Sequence, residues 1–328
     1  MPARLHYVQD DAPGWRRVRR GRGFAYVTPK GLAIRDAAQV ERIRRLAIPP
    51  AYTEVWICPS PRGHLQATGR DARGRKQYRY HPNWQAQQEQ HKFDRMRAFG
   101  RSLPRIRRAV SRDLRRRELT QDTVVAAIVR LLDRTALRVG NAEYAAQNGS
   151  FGLTTLRDRH VRLRANELVI GFKGKSGVEQ KARLTDKATA RIVQRCQDLP
   201  GQQLFQYLDD EGRRHQVRSH HVNDYLRRVS GHDFTAKDFR TWHASVLALE
   251  LTAGLDASTD AVPSRRTVVD VVREVAREIG NTQAVCRRFY IHPAVLETML
   301  HGPTPEHATP SSGTTESALL RLLARKKA

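Results

Sequence analysis

The stretch Glu167-Leu-Val-Ile-Gly-Phe-Lys-Gly-Lys-Ser-Gly-Val-Glu-Gln-Lys-Ala-Arg-Leu184 decides the fold class. Glu167 to Phe172 and Val178 to Leu184 read as strands, and Lys173-Gly-Lys-Ser-Gly177 between them is a tight, glycine-flanked turn, a hairpin signal. A further short strand, Val161 to Leu163, precedes them. The stretch also contains Gly171-Phe-Lys-Gly-Lys-Ser176, which looks like a phosphate loop at a glance. Its first glycine is one residue too close, and its flanks are strands rather than a strand and a helix, so no ATP site is expected.

Outward from this hairpin the pattern is helical. Apolar periodicity predicts helices at about Asn83 to Phe99, Pro104 to Arg117 and Gln121 to Leu137 on one side. On the other side they fall at about Asp186 to Gln197, Val217 to Val229, Ala236 to Leu251 and Ser264 to Ile279. The first 90 residues differ. A helix from Ala37 to Ala47 ends before Pro49-Pro50, and Tyr52 to Cys58, His64 to Thr68 and Lys76 to Tyr80 are rich in β-formers. Gly302 to Thr315, full of Pro, Ser, Thr and Gly, reads as a linker, with a short basic helix at Glu316 to Lys326. The expectation is an α+β chain in three parts. Residues 1–90 form a small β-rich domain and 91–301 a larger, mainly helical domain holding a three-stranded sheet. Residues 302–328 form a flexible linker and a short basic helix.

Composition points to the partner. The 328 residues carry 59 Lys+Arg against 33 Asp+Glu, a net charge of +26, and only ten of the basic residues are lysines. Such an excess calls for a polyanion and speaks of partners, not of fold. The opening residues lack an apolar stretch behind their charges, so no secretory signal is expected. The longest apolar run, Val124 to Val129, is far short of a membrane span. Cys58, Cys196 and Cys286 are isolated and odd in number, which fits a reducing cytoplasm and gives no zinc spacing. His220-His221, adjacent on a helix, are not expected to face one another or to ligate a metal. No acidic cluster of the two-metal kind is visible.

Cutting a phosphodiester without metal needs permanently charged, forked donors for the non-bridging oxygens. It also needs a proton donor for the leaving oxygen and a nucleophile such as a tyrosine hydroxyl. Arginines are too abundant for composition to choose among them, but local sequence does choose. Leu137-Arg138-Val-Gly-Asn141 closes a predicted helix, Phe172-Lys-Gly-Lys175 sits in the hairpin, and Lys237-Asp-Phe-Arg-Thr-Trp-His-Ala-Ser245 opens another helix. Gly280-Asn-Thr-Gln-Ala-Val-Cys-Arg-Arg-Phe-Tyr290-Ile-His-Pro293 follows.

At these positions the chain resembles the type IB DNA topoisomerases, especially their compact poxvirus and bacterial branch. The order is Arg, hairpin Lys, Arg in a K-x-F-R-T frame, then a polar residue nine before Tyr. Gly74-Arg-Lys-Gln-Tyr-Arg-Tyr80 and Gly152-Leu-Thr-Thr-Leu-Arg-Asp-Arg-His160 extend the match to roughly residues 20 to 300.

The resemblance implies relaxation of supercoiled duplex DNA through a 3′-phosphotyrosyl intermediate, with no cofactor. Tyr290 would be the nucleophile, Arg138 and Arg240 would hold the non-bridging oxygens, and Lys175 would be the general acid. Asn281 stands where poxvirus and eukaryotic members carry histidine; it is both a candidate phosphate donor and a good helix N-cap. For DNA binding the resemblance implies Arg75, Gln77, Tyr78 and Tyr80, with Tyr144 on a phosphate. Asn141 and Ser176 stand where poxvirus relatives have lysine and aspartate. A monomer in the cytoplasm, associated with the nucleoid and needing no metal, membrane or protein partner, completes the expectation. Two alternatives stay open: a tyrosine recombinase, though Lys237 departs from its H-x-x-R frame, and a DNA clamp without catalysis.

Overall fold

A computed structural model describes residues 5–21, 23–72, 74–256, 265–301 and 314–324. The chain packs as two units, Met1–Lys92 and Phe93–Ala328.

The first unit is an antiparallel sheet with one helix. Its elements are β1 (Trp15–Arg20), β2 (Gly23–Val27), α1 (Ala37–Arg45), β3 (Thr53–Ile57), β4 (Leu65–Arg70) and β5 (Lys76–Tyr80). The strand order β2-β1-β3-β4-β5 leaves β5 on an edge. Asp36 caps α1 by accepting from the Ala38 and Gln39 amides, and Ile43 from that helix packs with Val55, Ile57 and Ala67. The β1–β2 hairpin was not anticipated. Trp15-Arg-Arg-Val-Arg-Arg20 has too few apolar residues to read as a strand, yet tertiary contacts satisfy it. Arg17 donates to the carbonyls of Ile48, Pro49 and Tyr52 and lies over the Phe24 ring.

Helix α2 (Pro82–Asp113) leads into the second unit, whose helical part continues with α3 (Gln121–Thr135) and α4 (Ala142–Asn148). Its sheet is β6 (Val161–Arg164), β7 (Glu167–Lys173) and β8 (Glu179–Thr185), in that order and antiparallel, with Phe172 opposite Gln180. After it come α5 (Lys187–Gln197), a small hairpin of β9 (Gln206–Leu208) and β10 (Arg214–Gln216), and α6 (Ser219–Ser230). The chain then forms α7 (Ala236–Asp256), α8 (Arg265–Glu278), α9 (Gln283–Phe289), α10 (Pro293–His301) and α11 (Thr315–Ala324). The mixed composition fits the α+β expectation.

Several sequence expectations need correction. The two helices expected around residues 83–117 are one, because Pro104 lies inside α2. A mid-helix proline forfeits one hydrogen bond, but Phe99, Leu103, Ile106 and Val110 all bury on the same helix, on both sides of Pro104, and the helix continues through it. Helix α3 stops before Leu137: Ala136 takes the left-handed conformation (φ 51°) and ends it. His220 and His221 do meet, with ring centroids 4.1 Å apart, because His221 Nδ1 turns back to accept from the Arg218 amide at the start of α6. Helix α10 and the β9–β10 hairpin were not expected. Most of the expected linker, residues 302–313, lies outside the described residues.

Helix α3 is the central element of this unit. The apolar run Val124–Val129 is wholly buried, and Thr120 caps the helix through Thr123. Helix α11 docks against α7: Glu316 accepts from Arg107 at 2.7 Å and from Trp242 Nε1 at 3.1 Å, and Leu319 is buried. Arg107 also forks onto Asp133 of α3 at 2.9 Å. Among the described residues no helix is long and apolar enough to cross a membrane.

Candidate active site

Arg240, near the start of α7, is almost fully buried at 4% exposure. Its Nη1 donates to the Ala136 carbonyl at 2.5 Å and its Nη2 to the Ile279 carbonyl at 2.6 Å. Those carbonyls lie just past the C-termini of α3 and α8, the ends of helices where unpaired C=O groups concentrate negative potential. Two helix ends therefore hold one buried cation.

Arg138 stands in the loop after α3, not within a helix. Two glycines shape that loop. Gly140 adopts φ 96°, and a Cβ on Gly152 would come within 2.6 Å of Gly140 Cα. This close approach lets Leu153 N bond the Arg138 carbonyl at 2.9 Å and Thr154 N bond the Val139 carbonyl at 2.7 Å. The Gly152-Leu-Thr-Thr motif is thus the clamp that fixes Arg138. The Arg138 side chain donates through Nη2 to the Gly280 carbonyl at 3.0 Å and to Asn281 Oδ1 at 3.1 Å. Burial first, then the nearby Arg240 charge, pushes its pKa down to about 10. It remains charged near neutrality.

Asn281 follows Gly280, which takes φ 62°. It was expected as the cap of the next helix, but Thr282 caps α9 by accepting from Val285 N, which frees the Asn281 side chain for Arg138. With Oδ1 committed to Arg138, the Asn281 Nδ2 donors are buried without a partner among the described residues, as are Arg138 Nη1 and Arg240 Nε. Buried donors are seldom left unpaired in a native fold, since each costs about 1–3 kcal/mol.

Tyr290 closes α9. The chain just after it is held by the fully buried Ser245, whose hydroxyl donates to the Tyr290 carbonyl at 3.2 Å and accepts from His292 N at 2.9 Å. Arg240 lies over the Tyr290 ring, 5.3 Å from its centroid. Burial alone would raise the phenol pKa; the Arg240 charge and hydrogen bond, followed by Arg138 and Lys237, outweigh it and leave the phenol below its ordinary value. Three cations therefore favour the phenolate of Tyr290 over the burial that opposes it.

The structure therefore brings together four of the five expected catalytic residues. Lys175 stands exposed at the tip of the β7–β8 hairpin, beside Ser176 in the left-handed conformation. Asn141 serves as N-cap of α4, accepting from Tyr144 N at 2.9 Å, and Tyr144 lies near enough to bear on the Arg138 charge.

In the first unit, Tyr78 and Tyr80 stack at 6.0 Å on one face of the edge strand β5. Alternation puts Gln77 on the other face, where Asp71 accepts from Gln77 Nε2 at 3.0 Å and Arg75 Nε at 2.8 Å. Sequence reasoning missed Ser245 and Lys237 as parts of the site, although both flank Arg240 in its frame. Among the described residues no group of three or more His, Cys, Asp or Glu side chains is placed to hold a metal ion.

Comparison with known proteins identifies the family. The family described as eukaryotic DNA topoisomerase I, catalytic core, matches residues 81–302. The family described as bacterial DNA topoisomerase IB, N-terminal domain, matches residues 23–71. DNA topoisomerase 1B of Acanthamoeba polyphaga mimivirus is 32% identical over 273 residues, covering 80% of this chain and 81% of the relative. DNA topoisomerase 1B of Vaccinia virus (strain Copenhagen) is 22% identical over 273 residues, covering 80% and 82%.

Proposed function

The chain belongs to the type IB DNA topoisomerases, and from that membership we propose how its own residues carry the reaction. The enzyme relaxes supercoiled DNA by cutting one strand, letting it rotate, and resealing it. Tyr290 Oη attacks the scissile phosphorus and gives its proton to solvent. The bond from phosphorus to the 5′ oxygen breaks as the bond to Tyr290 forms. Lys175 Nζ gives its proton to the departing 5′ oxygen, so the cut strand ends in a free 5′ hydroxyl. Religation runs the same exchange backward, and the phosphotyrosine conserves the bond energy, so no nucleotide is hydrolysed.

One observation supports the assignment above the others. Arg138 Nη1, Arg240 Nε and Asn281 Nδ2 are buried donors without partners among the described residues, on three side chains gathered at the Ile279–Asn281 turn, and Arg240 also lies over the Tyr290 ring. Non-bridging phosphate oxygens are the acceptors such a set fits. Because these oxygens gain charge in the transition state, fixed donors there act where electrostatic stabilisation is largest. Arginine serves better than lysine because its fork remains planar and charged.

The DNA-contacting set is part of the same proposal: Arg75 just before the edge strand, Gln77, Tyr78 and Tyr80 on it, Asn141 and Tyr144 at α4, and Ser176 on the hairpin. So are action as a monomer and residence at the nucleoid. The test is relaxation of a supercoiled plasmid in EDTA without ATP, beside a Tyr290→Phe variant. Full relaxation by the native protein, lost in the variant, is the expected result. Failure of the native protein to relax the plasmid would overturn the mechanism.

A further inference from the structure

We infer that Gln180 is a positioning residue for the leaving-group proton, a wedge between the Lys175 hairpin and the Gly280–Asn281 turn. The inference rests on the reading of Lys175 as general acid and deepens it.

Gln180 lies on β8 between two exposed neighbours, Glu179 and Lys181, yet is itself only 8% exposed. Its stem crosses Gly174: a Cβ on Gly174 would stand 2.7 Å from Gln180 Cγ. Its amide lies against Gly280: a Cβ there would stand 2.5 Å from Nε2 and 2.9 Å from Oε1. The amide is steadied by donating to the Glu179 carbonyl at 3.2 Å. Gly174 immediately precedes Lys175, and its amide closes the hairpin loop onto the Val178 carbonyl at 2.8 Å. Gly280 immediately precedes Asn281, and its carbonyl receives Arg138. One buried side chain therefore touches the residues beside two of the proposed catalytic groups.

The wedge answers a physical need. Lys175 is exposed on a turn with glycines at 174 and 177, and its ammonium rides on a flexible four-carbon stem. A proton donor must reach within about 2.6–3.2 Å of the oxygen it serves, and a misplacement of roughly 1 Å costs about a hundredfold in rate. The base of the hairpin is already tied toward Arg138, because Phe151 N bonds the Lys173 carbonyl at 2.7 Å and Phe151 adjoins Gly152. Gln180 supplies the second tie, toward Asn281. Two anchors fix the direction of the tip where one leaves it free to swing. Both flanking glycines lack a Cβ in the room that Gln180 fills.

The test uses two duplex substrates, identical except that the bridging atom at the cut is oxygen in one and sulfur in the other. Sulfur departs as a thiolate and needs no proton, so the pair isolates proton donation. Lys175→Ala should lose about a thousandfold on oxygen and little on sulfur.

Gln180→Ala should cleave the oxygen substrate about a hundredfold more slowly and the sulfur substrate at close to the native rate, with DNA affinity unchanged. Gln180→Met, which keeps the volume of the wedge, should recover most of the oxygen rate. Gln180→Asn, one carbon shorter, should show the same selective loss and serves if the alanine variant is too unstable to assay.

Equal slowing of both substrates, or no slowing of either, overturns the inference when Lys175→Ala still shows rescue by sulfur. If Lys175→Ala is itself not rescued, the general-acid reading fails first and takes the inference with it.

Discussion

Asn281 Oδ1 accepts a hydrogen bond from Arg138 Nη2 at 3.1 Å, and this one contact fixes which way the Asn281 amide faces. Its nitrogen, like Arg138 Nη1, is buried without a partner among the described residues. The neutral amide thus does two things at once: it orients an arginine and offers a donor of its own.

That pairing predicts a graded series. Asn281→Ala removes both the acceptor for Arg138 and the donor, and should slow single-turnover cleavage about a hundredfold. Asn281→Asp keeps the acceptor but places a carboxylate beside the phosphate, and should be slower still. Asn281→His restores a donor and should recover most of the rate. Cleavage by Asn281→Asp at the native rate would rule out a donor role for the amide.

The pH dependence follows from the same cations. Tyr290 is below its ordinary pKa because Arg240, Arg138 and Lys237 outweigh the effect of burial. Removing a cation leaves burial less opposed, so the phenol rises. Single-turnover cleavage should increase with pH and level off below about pH 10, the ordinary tyrosine value. In Lys237→Ala, a variant outside the phosphate-binding pair, the same limb should move to higher pH. A limb that stays put would show that Lys237 does not act on the phenol.

Ser245 is predicted to matter through the backbone rather than through DNA. Its hydroxyl bridges the Tyr290 carbonyl and the His292 amide from a fully buried position. Ser245→Ala should cost about 1–3 kcal/mol in denaturant unfolding, because it removes both hydrogen bonds of a fully buried hydroxyl. Ser245→Cys, which retains a weak donor, should cost less. A cleavage rate reduced about tenfold with unchanged DNA affinity is the matching functional result.

The C-terminal helix is expected to be part of the fold rather than an appendage. Glu316 of α11 ties to Arg107 and to Trp242, two residues beyond Arg240. Hydrogen bonding to Glu316 and Asp133 raises the Arg107 pKa, and the same Arg107 contact lowers that of Glu316. Glu316→Ala should destabilise by roughly 1.5–3 kcal/mol, as a lost charge-assisted bond does. Because the folded-state pKa of Glu316 is depressed, this contribution is complete above the unfolded carboxylate pKa of about 4.3. It fades as pH falls through the folded value. Thermal unfolding at pH 7 and pH 3 measures both, and an α11 deletion that leaves the midpoint unchanged would contradict the docking.

The sequence was most legible where chemistry demands rare spacing. The hairpin from Glu167 to Leu184, the Lys237–Ser245 frame and the Gly280–Pro293 stretch could each be read directly, and the structure gathers Arg138, Arg240 and Asn281 at the Ile279–Asn281 turn with Arg240 over the Tyr290 ring. It was least legible where tertiary contacts override local preference. Trp15–Arg20 forms a strand because Arg17 finds carbonyls in the segment 48–52, and α2 runs through Pro104 because its apolar face is buried. No local signal announces that Ser245 will meet Tyr290, or Gln180 will meet Gly280, since those pairs lie far apart in the chain. The Thr282 cap was legible in principle: Thr and Asn are both good caps, and only the pull of Arg138 on Asn281 decides between them.

The most direct measurement of the central claim is the covalent bond itself. A duplex labelled at the 5′ end of the cleaved strand, mixed with the protein in EDTA and denatured, should give label migrating with protein. Label at the 3′ end should be released as a free fragment with a 5′ hydroxyl. Tyr290→Phe should give no adduct, and peptide mapping of the native adduct should place the nucleotide on Tyr290. An adduct that persists in Tyr290→Phe, or one that carries the 3′ label instead, would contradict the account.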